Sequence, residues 1–196
     1  MPPHTVAQSA AKYAQFWQRS ESAFVAGLAS RDRTTRLEAL QKAAPYFRIA
    51  RNFATKFDTG RGLARLEPAL DILDRFRTSP LTADTFPVAV NTVRREFAMA
   101  YGKSDLLSAA TKLLWLMHRH PVVIFDGNVW ERLGAPGTDY SMFLDLWNRR
   151  YGELEPEIRQ ASAALLKSGI APAGEEWFRR RVLDIHLWTP TDPRDS

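Results

Sequence analysis

The chain has 196 residues, 45% of them hydrophobic with six Trp and eleven Phe, which is bulk enough for one domain or two small helical lobes sharing a cleft. It contains no cysteine, so disulfides and thiolate metal sites are excluded and a reducing compartment is favoured. Its net charge of +5 is unevenly spread. Between Arg31 and Arg77 eleven Lys and Arg stand against six Asp and Glu, a basic stretch that fits a polyanion partner or an ordinary solvated surface.

Periodicity is helical almost throughout. Val6, Tyr13, Phe16, Trp17, Phe24 and Leu28 recur at three- and four-residue spacing, predicting an amphipathic helix from Thr5 to about Ala29 with a break near Gly27 to Arg31. Asp32 or Thr34 opens a second helix that turns Leu37 and Leu40 inward. Pro45 suits the first turn of a third, Tyr46 to Phe57, whose Arg48, Arg51 and Lys56 lie mostly off its apolar stripe. Asp58 to Gly62 reads as a turn; Gly60-x-Gly62 follows no strand, which argues against a phosphate loop. Pro68 introduces Leu70, Leu73 and Phe76, and Thr78-Ser79-Pro80 stops that helix. This linker is the predicted boundary between a basic lobe, 1–78, and a second lobe, 82–188.

Thr82 or Asp84 caps the next helix, which presents Phe86, Val90, Val93, Phe97 and Tyr101 and ends at Gly102. An apolar helix follows from Ser104, then a β-branched piece, Val122 to Phe125, too short to build a sheet. Gly134 to Gly137 is a loop, with Thr138 the predicted cap of Tyr140 to Tyr151. Glu153 to Ser168 is a further helix with Gly169 past its end, and the last runs from about Gly174 to Trp188. The expected fold is all-α, two-lobed, of nine or ten helices and without repeats. The N-terminus lacks the layout of a signal peptide, and no apolar run approaches the length of a membrane span. A cytoplasmic protein without membrane attachment is therefore expected.

Two residues stand out as arranged for chemistry. Lys112 interrupts the apolar run Leu106-Leu107-Ser108-Ala109-Ala110-Thr111 and Leu113-Leu114-Trp115-Leu116, and its helical neighbours offer little to neutralise an amine. If that face is buried, desolvation favours the neutral, nucleophilic form; alternatively the side chain snorkels to water. Asp126 is placed to cap the helix starting at Gly127, where helix N–H groups keep a carboxylate ionised. Such a group can steady positive charge on a sugar or accept a proton from an amine.

Around these residues the sequence resembles the helix-hairpin-helix DNA glycosylases, and within them the bacterial proteins that are similar to 8-oxoguanine DNA glycosylase. The likeness rests on Thr111-Lys112-Leu113-Leu114, on Val123-Ile124-Phe125-Asp126-Gly127-Asn128-Val129, and on the closing Trp177 to Trp188 helix. It spans about Val93 to Trp188. By this resemblance Lys112 is the amine that attacks the sugar C1′ and forms a Schiff base, and Asp126 is the catalytic aspartate. Asn128 falls where the larger enzymes carry a histidine near the DNA backbone. Where the superfamily hairpin carries Gly-x-Gly ahead of Thr-Lys, this chain has Ser108 and Ala110. A role in bacterial defence is a further implication of the resemblance alone.

The remaining candidates follow. Trp115, Trp130 and Trp177 could stack a flipped base or simply fill the core. Arg48, Arg51, Arg179 and Arg180 would meet phosphates. His118 and His120, two apart, share no helix face and make an improbable metal pair; no metal and no cofactor is implied. Asp184, close to Arg180 and Arg181, reads as an ion-pair partner. The sequence thus predicts an N-glycosylase acting on DNA or a nucleotide, with a non-catalytic helical module binding nucleic acid or protein as the alternative.

Overall fold

A computed structural model of the chain describes residues 5–53, 62–134 and 139–189. Among the described residues the structure is all-helical, with no strand. The chain divides into two compact units, residues 1–18 with 125–196, and residues 19–124. The linker Thr78-Ser79-Pro80 lies within the second of these.

The first helix, α1 (Val6–Phe16), starts where Thr5 and Gln8 form a capping box, side chain to backbone in both directions. Helical backbone continues through a π segment, Trp17–Glu21, into α2 (Ser22–Ala29). The predicted Thr5 to Ala29 helix is thus present but interrupted. Counting it as one, the described residues hold eight helices rather than nine or ten. The lower number has a second cause. Tyr140–Tyr151 and Glu153–Ser168 are one 28-residue helix, Tyr140–Lys167, which passes Gly152 and Pro156 without a break. Its inward stripe of Phe143, Leu144, Trp147, Tyr151, Ile158 and Ser162 keeps helical spacing across both breakers, so burial overrides local propensity.

In the unit 19–124, α2 lies against α3 (Arg33–Tyr46) and α6 (Leu107–His118), and α5 (Phe86–Tyr101) packs on both α6 and α4 (Glu67–Asp74). Asp32 caps α3 by accepting the Thr35 N–H at 2.6 Å. Pro45 sits inside the last turn of α3 and does not begin a new helix. The chain leaves α3 through a Schellman turn: Ile49 N–H donates to the Ala44 carbonyl at 2.8 Å and Arg48 N–H to that of Pro45 at 3.0 Å. Arg48 occupies the left-handed position, φ 57°, where glycine is usual. Only a short turn, Ala50–Asn52, follows; the rest of the predicted third helix, 54–57, lies outside the described residues, as does most of the Asp58 to Gly62 turn.

Two arginines close the other end of that helix pair. Arg77 donates to the carbonyls of Ala29 and Ser30, both at 2.8 Å, and buried Arg36 donates to those of Ser30 and Arg31 and to Asp74. They satisfy the exposed carbonyls at the end of α2 and favour its dipole. The helix α6 is the centre of the unit: Ala109 to Leu116 are buried without exception. Tyr101 ends α5 by accepting the Ala69 N–H and donating to the Arg65 carbonyl, and burial pushes its hydroxyl up to about 12.

In the other unit, α1 packs on α8 (Tyr140–Lys167) and α9 (Glu176–Trp188), and α7 (Gly127–Arg132) packs on α9. Ser9 meets His186, Tyr13 meets Phe178 and Trp17 meets Trp177, so α1 and α9 run antiparallel.

The α2–α3 contact is close because Gly27 has no side chain. A Cβ there would stand 2.7 Å from the Ala39 Cβ, which has no rotamer by which to yield. Gly27→Ala is therefore expected to destabilise by about 1–2 kcal/mol despite its better helix propensity. Adding Ala39→Gly is expected to recover part of the loss in urea titrations, and a stabilised Gly27→Ala variant would contradict the packing.

Candidate functional site

Lys112 lies on α6 with 8% of its surface exposed. Of the two readings that the apolar run left open, burial holds, and the residue does not snorkel freely to water. What the sequence did not reveal is the group it meets. The Lys112 Nζ donates to the Phe47 carbonyl at 3.3 Å. Phe47 is the C-cap of α3, and its carbonyl is spared by the Schellman turn, which uses those of Ala44 and Pro45. The amine therefore sits at the negative end of a helix dipole.

Asp126 caps α7 as predicted, accepting the Asn128 N–H at 3.1 Å. It belongs to the unit 1–18 with 125–196, whereas Lys112 belongs to the unit 19–124. Between them, α6 ends at Arg119, whose φ of 56° and ψ of −68°, with His120 N–H on the His118 carbonyl, form a γ-turn of the rarer hand. Pro121 to Ile124 then run buried and without regular secondary structure.

The other predicted residues have these places. In the unit 19–124, Trp115 is core, 2% exposed, while Arg48 and Arg51 are exposed beyond the end of α3. In the other unit Asn128 is exposed, and Trp130 is buried against Phe125 and Phe143. Trp177 is half-buried, its ring 4.5 Å from that of Trp17. Arg179 is held by Glu176 and the Gly174 carbonyl, and the Arg180 guanidinium lies 4.6 Å over the Trp147 ring. Both guanidinium groups are thus engaged within their own unit.

These arginines belong to a polar network that residue spacing alone did not disclose. Asp184, which the sequence pairs with a neighbouring arginine, accepts the Trp147 indole N–H at 2.7 Å and Arg181 at 3.3 Å, all three side chains buried. Tyr151, stacked on Trp147, donates to Glu176 at 3.2 Å. Burial pushes the Tyr151 hydroxyl up to about 12, helped by Glu176. Glu176 is partly desolvated, yet Arg179 holds its carboxyl below the usual range. Desolvation lowers His118 on α6, against the pull of the Phe76 carbonyl.

Among the described residues no group of three or more His, Cys, Asp and Glu is placed to hold a metal ion, and no helix is long and apolar enough to cross a membrane. No family model matches this chain, no curated protein matches its sequence, and no solved structure matches its fold. Function is therefore argued from the residues.

The buried aspartate makes stability depend on pH. Burial pushes the Asp184 carboxyl up to about 6, opposed by Arg181 and Trp147. A folded pKa above the unfolded value of 3.8 means that this group's contribution is fully present below 3.8 and is lost as pH rises through 6. His118 has the opposite sense: its contribution is present at neutral pH and lost on acidification. Comparing wild type with Asp184→Asn removes the His118 part. The unfolding free energy of wild type is expected to gain about 2.5 kcal/mol on that of the variant between pH 7.5 and 4. A difference independent of pH would contradict the buried, desolvated carboxyl.

Proposed function

We propose that the protein is a helical N-glycosylase, acting on a nucleobase in DNA through Lys112. The observation that carries this reading is the buried Lys112 amine, which donates to the Phe47 carbonyl from a helix whose neighbouring residues are apolar. A buried, oriented amine suits attack on C1′ of a deoxyribose once it has given up its proton. The new bond is N–C1′; the bond that breaks joins C1′ to the base, whose nitrogen leaves with the electron pair and takes up a proton. The nitrogen gives up one proton; C1′–O4′ then breaks, O4′ takes its electron pair and a proton, and the N=C1′ Schiff base remains in its protonated form. The resemblance would assign Asp126, the N-cap of α7, to the proton transfers and to positive charge on a sugar. The resemblance of the Thr111 to Leu114 and Val123 to Val129 segments to glycosylases that are similar to 8-oxoguanine DNA glycosylase supports the same roles.

Exposed Arg48 and Arg51, just past the end of α3, supply phosphate contacts on this reading. Binding of an oligonucleotide should then weaken steeply with salt, and removing either arginine should flatten the log–log slope by about one. Borohydride trapping on oligonucleotides carrying oxidised, deaminated or alkylated bases tests the chemistry. Wild type is expected to give a covalent adduct, and Lys112→Gln, folded by circular dichroism, none. Absence of an adduct with every oligonucleotide would overturn the enzyme and leave a helical module that binds without reacting.

A further inference from the structure

Glu21 repeats the anomaly of Lys112. It stands on the stripe Trp17, Glu21, Phe24, Leu28, where the other three residues are aromatic or aliphatic, and its side chain is wholly buried. The π segment Trp17–Glu21 places it at the start of α2, and π insertions of this kind gather at functional sites. Within the unit 19–124, the Tyr46 hydroxyl donates to Glu21 Oε1 at 3.3 Å. Tyr46 is the last residue of α3, and the next residue, Phe47, supplies the carbonyl that accepts from Lys112. The Tyr46 ring is further boxed by Phe24 at 5.2 Å and Phe47 at 5.0 Å, both edge-on. Two buried polar side chains from separate helices therefore meet adjacent residues of one helix end.

We propose that Glu21 and Tyr46 form a positioning pair for Lys112: the carboxylate anchors Tyr46, Tyr46 fixes the final turn of α3, and that turn aims the Phe47 carbonyl at the amine. The pair deepens the reading of Lys112 as a nucleophile, since it would set the orientation and proton affinity of the attacking group. A hydrogen bond accepted from the amine favours its charged form, so loosening the turn shifts Lys112 toward the neutral form at a given pH. Lys112 on α6, Glu21 on the π segment and Tyr46 at the end of α3 are titratable groups joined through these two contacts. His118, one helical turn and a half further along α6, faces the Phe76 carbonyl.

The test needs no nucleic acid, so its outcome is separate from that of the glycosylase reading. Full-length protein is pulsed with formaldehyde and cyanoborohydride across pH 6 to 11, and methylation of Lys112 is read by peptide mass spectrometry. Tyr46→Phe keeps the carboxylate and the ring but removes the hydroxyl, and is expected to lower the midpoint of the Lys112 profile by at least half a pH unit. Glu21→Ala is expected to do the same, and Glu21→Gln, whose amide oxygen still accepts from Tyr46, to restore the midpoint toward wild type. Tyr101→Phe, a comparable hydroxyl deletion in the same unit, is expected to leave it unmoved. A Tyr46→Phe midpoint equal to that of wild type overturns the proposal, whatever the Glu21 variants do.

Discussion

The contact between the Lys112 amine and the Phe47 carbonyl is the constraint around which the unit 19–124 is arranged. Taking a charged group out of water costs several kcal/mol, and the helix that carries Lys112 offers little in return. Part of the return comes from another helix. A hydrogen bond from a charged donor contributes about 1.5–3 kcal/mol, and the C-terminal dipole adds up to about 2 kcal/mol in partly buried geometries. Both depend on α3 ending where it does. Had α3 continued for another turn, the Phe47 carbonyl would have been consumed by the helix's own ladder. The Schellman turn, with Arg48 forced into the left-handed region, is what releases it.

This explains which parts of the molecule were legible beforehand. Lys112 could be read because it breaks an apolar run, and Asp126 because the residues after it look like a helix start. Thr5, Asp32, Gly102 and Gly169 likewise mark their helix ends in the sequence, and the structure has a cap or a left-handed turn at each. The end of α3 could not be read. Pro45 looks like a beginning, and an arginine carries no signal for positive φ. Its partner across the core was invisible for a simpler reason: a backbone carbonyl has no sequence identity. Glu21, in contrast, was available to the same criterion that picked out Lys112, being one acidic residue on an aromatic and aliphatic stripe.

The basic character of the chain looks different once its contacts are known. Several of the cations between Arg31 and Arg77 have internal duties: Arg36 and Arg77 close the end of α2, Arg33 pairs with Asp71, and Arg75 pairs with Glu96. In the other unit, Arg179, Arg180 and Arg181 knit α9 to itself and to α8. Net charge counts all of these equally, although their side chains have different surroundings and different partners. The long helix α8 teaches the matching lesson for local propensity. The sequence suggests a break at Gly152, but a buried stripe in unbroken register carries the helix across it and across Pro156.

All of this turns on one hydrogen bond, and that bond can be observed directly. In protein labelled with nitrogen-15 and carbon-13, the Lys112 side-chain nitrogen should show a scalar coupling through the hydrogen bond to the Phe47 carbonyl carbon. Its protons should exchange with water far more slowly than those of surface lysines. A Lys112 resonance that exchanges as fast as surface lysines and lacks any coupling to Phe47 would contradict the account.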